Sequence, residues 1–193
     1  MEWESVFRII HLVTVVLMAA PFYALMVVGE RALFSRNMIY QVDKYMEAVI
    51  TKQAVRCYVF QVTVLGSGLT MALIIWPFSD IIGNWVLVVK ASLLTLLIIL
   101  LSIIHFGLQP RINRLLGQVS GDPIPPEIAS QIRAVRVKRK RLAATCLFLV
   151  LAAVILALQV VSRFNLWVNV VFFVLAALFS WRVYKVPVRF GWV

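Results

Sequence analysis

Apolar runs too long for an amphipathic helix dominate the chain. Five of them, Val6–Val28, Val55–Phe78, Asn84–Leu108, Leu142–Val161 and Leu166–Tyr184, reach or approach the about 20 residues needed to cross hydrocarbon as a helix. The fifth is the shortest, because Asn169, Ser180 and the flanking basic residues trim its apolar centre. Between the runs the pattern changes to a helical period. Val42, Tyr45, Met46 and Val49 line one face of segment 29–54. Ile128, Ile132 and Val135 do the same in segment 109–141, where Pro126 and Glu127 mark a helix start. The expected fold is an all-α polytopic integral membrane bundle, a single domain over residues 1–193. It has four long spans and one short one, and its helical loops dock on their own bundle or on a partner.

Composition strengthens that picture. The chain is 63% hydrophobic and 14% charged, which suits lipid-facing helices and no soluble domain of this length. The opening "MEWES" is acidic, with no basic region and no small-residue cleavage site after the first run, so that run is expected to stay as a span. Two cysteines, Cys57 and Cys146, offer neither a CxxC pair nor zinc spacing.

The net charge of +11 is unevenly placed, which argues against nucleic acid and for an orientation. Sixteen basic residues fall in segments 29–56 and 109–141 and in the carboxyl tail, whereas the opposite side keeps only Arg8 and Arg163. Positive loops stay cytoplasmic, so the amino terminus is expected outside and the carboxyl terminus inside a bacterial-type cytoplasmic (inner) membrane. The run "RVKRKR" is expected to anchor the fourth span, with Arg136, Lys138, Arg139, Lys140 and Arg141 touching anionic lipid or an acidic partner.

Against this frame the polar residues within spans can be ranked by depth. Lys90 lies five residues past Trp85, about 7–8 Å below the outer interface, and His11 sits at a similar level in the first span. His105 is about 30 Å below Trp85, so one haem cannot join the two histidines, whereas His11 and Lys90 share a level. Each has a plainer reading beside the functional one. A lysine stem at that depth can snorkel to water, and a membrane histidine can simply bond a hydroxyl or a carbonyl. Arg8 is either a second charge for an outer-leaflet site or a headgroup contact. Ser92, Thr95, Ser102 and Gln109 form a weak polar stripe expected to face the bundle, and Gly66, Gly68 and Thr70 read as a helix-packing patch.

Three stretches carry a resemblance. "FRIIHLVTVVLMAAPFYALM", "VFQVTVLGSGLTMAL" and "NWVLVVKASLLTLLIILLSIIHF" resemble the first three spans of a group of small bacterial membrane proteins. That group includes the haem-dependent protoporphyrinogen oxidases and the copper-resistance-protein-D-like families. The likeness covers roughly residues 6–116. It implies a b-type haem near the outer leaflet, with His11 as axial metal ligand and Lys90 as the opposing ligand or a cation facing a propionate. It also implies a place in tetrapyrrole or electron-transfer metabolism, leaving catalytic residues unassigned and enzymatic activity open. The competing expectation is a non-catalytic accessory or assembly subunit, packed in lipid against a larger membrane complex or a second copy. Transport is weaker, since every Asp and Glu lies near or outside a membrane boundary.

Overall fold

The structure, a computed structural model, describes residues 2–34, 38–161 and 165–185, with side chains for 3–21, 38–159 and 165–185. The side chains of Arg31, Arg36, Arg163 and Arg189, used above to assign orientation, lie outside the described residues. All the regular structure described is helical: α1 (Glu2–Phe34), α2 (Tyr40–Ile75), α3 (Phe78–Gly83), α4 (Trp85–Ser102), a π-helical stretch (Ile103–Leu108), α5 (Gln109–Gly117), α6 (Pro126–Val161) and α7 (Leu166–Lys185). Among the described residues five helical segments are long and apolar enough to cross a membrane, and each overlaps one of the five runs read from sequence.

Helix boundaries follow local chemistry. Trp76 is extended because Pro77 follows it, which ends α2. Asn84 then opens α4 by accepting a hydrogen bond from the Val86 N–H at 3.1 Å. The π-helical stretch falls just before Pro110, whose missing N–H and bulky ring disrupt the bond to the carbonyl one turn earlier. Pro126 begins α6, as its fixed φ favours.

Two helices are much longer than a bilayer. α2 and α6 have 36 residues each, about 54 Å against a hydrocarbon thickness of about 30 Å. Their surplus does not dangle. It joins α5 in a second apolar core made of Met38, Ile112, Leu115, Leu116, Val119, Ile124, Ile132 and Val135. The membrane core is separate and draws Met18, Cys57, Val64, Leu97, Leu101, Cys146, Leu147 and Val183 from α1, α2, α4, α6 and α7. α6 is the central mast: 44% of its apolar window is buried, against 11% for α1 and for α7. The loops thus build a cap on their own bundle.

Three details differ from the sequence reading. On the cap portion of α2 the buried face is Asp43, Glu47, Ile50 and Ala54, while Tyr45 is 67% exposed. On α4 the buried face is Leu94, Leu97 and Leu101, with Ile104 continuing it, whereas Ser92 and Thr95 point outward. Their hydroxyls donate to the Val88 and Ala91 carbonyls of their own helix, so nothing requires them to be buried. Finally, Gly68 makes the close contact, while a side chain at Gly66 would meet nothing within 4 Å.

Candidate functional site

His11 lies on α1 one turn beyond Arg8, which is exposed and forms an ion pair with Glu4 at 2.6 Å. The imidazole is half-buried between α1 and α2. Its Nδ1 lies 3.0 Å from Ser67 Oγ. Ser67 has one hydroxyl proton, and that proton is directed to the Thr63 carbonyl at 2.6 Å. With the Ser67 proton so directed, Ser67 Oγ can accept from an Nδ1–H tautomer of the ring, the form that leaves the Nε2 lone pair open. Gly68 makes the seat possible, because a Cβ there would stand 3.1 Å from His11 Cε1. Thr14, one turn further along α1, is buried and returns its hydroxyl to the Ile10 carbonyl.

Lys90 is half-buried on α4. An imidazole whose Nδ1–H is fixed by a neighbour and whose Nε2 stays available is the form that ligates iron or another metal. It is equally the hydroxyl-bonded histidine that the plainer reading expected. Among the described residues no three His, Cys, Asp or Glu side chains cluster as a metal site.

His105 belongs to a different environment. It sits in the π-helical stretch, edge-on to Phe106 at 4.8 Å and to Tyr58 at 6.0 Å between ring centroids. Tyr58 Oη and Ser102 Oγ share a hydrogen bond of 2.8 Å, and Ser102 also lies 2.8 Å from the Ile98 carbonyl oxygen. Beside His105 is a cavity of about 20 Å³, also lined by Thr51, Cys57 and Gln109.

The most heavily buried polar cluster was not anticipated from sequence. Asp43 and Glu47 on α2, Gln109 on α5, and Arg136 and Arg139 on α6 are all at most 2% exposed. Glu47 is the hub. It accepts from Arg136 Nε at 2.8 Å, from Gln109 Nε2 at 2.8 Å and from both terminal nitrogens of Arg139. Asp43 accepts from Arg136 Nη1 at 2.7 Å and reaches back to the Ile39 N–H at 3.0 Å. Arg139 also donates to Gln109 Oε1 at 2.8 Å. This ionic layer separates the membrane core from the cap core.

It also divides the basic run. Arg136, Arg139 and Lys140 are buried, so the lipid or partner contact expected of them does not fit their placement; Lys138 and Arg141 are exposed. The physical reason is the 36-residue α6, which carries the run inside the cap, where α2 supplies carboxylates. A local signal did exist, in acids spaced by four opposite basics spaced by three, but nothing local pairs segments about 90 residues apart. Searches of family models, of curated proteins and of solved structures find nothing that matches the chain.

Proposed function

We propose that the chain is a multi-pass protein of a bacterial-type cytoplasmic membrane, amino terminus outside and carboxyl terminus inside, that holds a b-type haem at His11 near the outer leaflet. The observation that carries this reading is the hydrogen bond between His11 Nδ1 and Ser67 Oγ, which orients the imidazole and engages one ring nitrogen, so that Nε2 is the nitrogen a haem iron would take. A hydrogen-bonded neighbour of this kind orients a ligating histidine and tunes it as a ligand. Bound there, a haem supplies one-electron redox chemistry. The chain's own part is to present Nε2, to set Lys90 as the opposing ligand or as a cation for a propionate, and to surround both with apolar helices. The resemblance of residues 6–116 to haem-dependent membrane proteins points the same way.

The test is a reduced-minus-oxidised spectrum of the chain purified in mild detergent. A Soret difference band is expected in the wild type, lost in His11→Ala and shifted in Lys90→Ala. A colourless wild type, or a band unchanged in both variants, overturns the reading. One observation favours the accessory-subunit alternative: a groove on α4 lined by Val88, Ala91, Ser92, Thr95, Leu96 and Ile99 carries hydroxyls on an outward face. For that reading, a colourless preparation co-purifies in fixed ratio with a larger membrane complex.

A further inference from the structure

We propose that Lys52, Arg56, Lys138 and Arg141 form a collar that binds anionic lipid headgroups at the basic end of the bundle. All four are exposed, two on α2 and two on α6. Measured along the helices from the Glu47–Arg139 contact, Lys138 and Arg141 lie within about 3 Å of that layer. Lys52 and Arg56 stand about 7 and 14 Å further along α2, toward its apolar stretch. The four therefore fall in a band where the cap meets the apolar stretches.

What the fold does to nearby charge leaves the described side chains of this band one-signed. Asp43 and Glu47, the nearest described carboxylates in sequence, are turned inward and neutralised by Arg136 and Arg139. The other described acidic side chains of this end, Asp122 and Glu127, lie at the far tip of the cap. Glu127 is eleven residues from Lys138, about 16 Å along α6, and Asp122 accepts from the Tyr40 N–H. Among the described side chains, internal pairing has removed Asp43 and Glu47 from the outer wall and left the cations on it.

The identity of the occupant follows from what adjoins the cations. On α2, Val55, Val59 and Val62 are 54%, 58% and 64% exposed, so an outward apolar strip begins where the basic strip ends. A bilayer presents an anionic layer and then hydrocarbon in that order along the helix axis; an acidic protein or a nucleic acid does not. Long basic side chains can lay their stems on this strip and keep their heads among phosphates. The proposal holds whether or not His11 carries a haem.

The full chain is reconstituted in phosphatidylcholine vesicles with trace spin-labelled phosphatidylglycerol or phosphatidylcholine, and the motionally restricted fraction of each label is compared. The wild type is expected to prefer phosphatidylglycerol by about fivefold at low salt. Lys52→Gln/Arg56→Gln/Lys138→Gln/Arg141→Gln cuts the preference at least about twofold, the remainder resting on Arg111, Arg182 and Lys185, whereas Lys44→Gln/Arg133→Gln on the cap leaves it unchanged. Circular dichroism checks that the quadruple variant keeps its helices. Should it unfold, wild type at 0.5 M salt tests the same contact by screening at a Debye length of about 4 Å. Parity in the wild type, a preference that the four substitutions or high salt leave undiminished, or an acidic protein held in fixed ratio without lipid preference overturns the proposal.

Discussion

Replacing Glu47 by leucine strikes the ionic layer at its hub. Glu47 is 2% exposed and takes hydrogen bonds from Arg136, Gln109 and Arg139. In Glu47→Leu, Arg136 keeps Asp43, but Arg139 keeps only the Gln109 carbonyl oxygen in a site where it is 0% exposed. A buried cation stripped of its counter-charge costs about 3–5 kcal/mol. Arg139→Leu is milder, because Glu47 still has Arg136 and Gln109; about 1–3 kcal/mol is expected. The double variant removes the stranded charge, so it should be more stable than Glu47→Leu alone, with a coupling energy above about 1 kcal/mol. Unfolding by graded denaturing detergent in mixed micelles, followed by circular dichroism, measures all four corners of this cycle. If Glu47→Leu falls within about 0.5 kcal/mol of wild type, or if the two single effects simply add, the layer is not the coupled ionic unit described here.

Other sites give sharper contrasts than magnitudes. Gly66→Ala enters open space and improves helix propensity, so it should stabilise by up to about 1 kcal/mol, whereas Gly68→Ala presses on His11 and should destabilise by about 1–3 kcal/mol; the same unfolding assay refutes the seat if the order is reversed. Ile132 is 0% exposed in the cap core, so Ile132→Ala should cost about 2–5 kcal/mol and raise protease sensitivity between residues 109 and 135, and an unchanged digest counts against a packed cap. Cys57 and Cys146 are 1% and 0% exposed and should resist maleimide in the folded chain. Against that silent background, an impermeant maleimide added to intact cells should label Ser79→Cys and spare Ser120→Cys; the opposite result inverts the orientation.

The sequence reveals spans well because a run of apolar residues is a local property, and lipid rewards it wherever the neighbours sit. It reveals helix faces poorly, for reasons particular to each helix. On α4 the stripe Ser92, Thr95, Ser102 and Gln109 looked inward because polar side chains in a membrane usually seek partners. Ser92 and Thr95 find theirs in their own backbone, and the π-helical stretch shifts the register before Gln109, so only the lower part of the stripe turns inward. On α2 the face of Val42, Tyr45, Met46 and Val49 lost to one bearing two carboxylates, a choice no hydropathy pattern favours. It becomes favourable only when Arg136 and Arg139 arrive from α6.

Those arginines also explain what the layer does for the fold. α2 and α6 both pack on α1 and reach each other through these long side chains, so apolar contact alone fixes their relative register weakly, since lipid solvates either register about equally well. Asp43 pairs with Arg136 and Glu47 with Arg139, so the partners advance together and α2 and α6 run parallel in one register. A slip of one turn, about 5.4 Å, leaves buried charges facing apolar neighbours. The layer need not stabilise the chain more than a leucine cluster of equal volume would; its effect is to make every other register worse. The same fixed register of α2 carries upward through Cys57 and Val64 to Ser67 and Gly68, where it sets the height of the seat that holds His11.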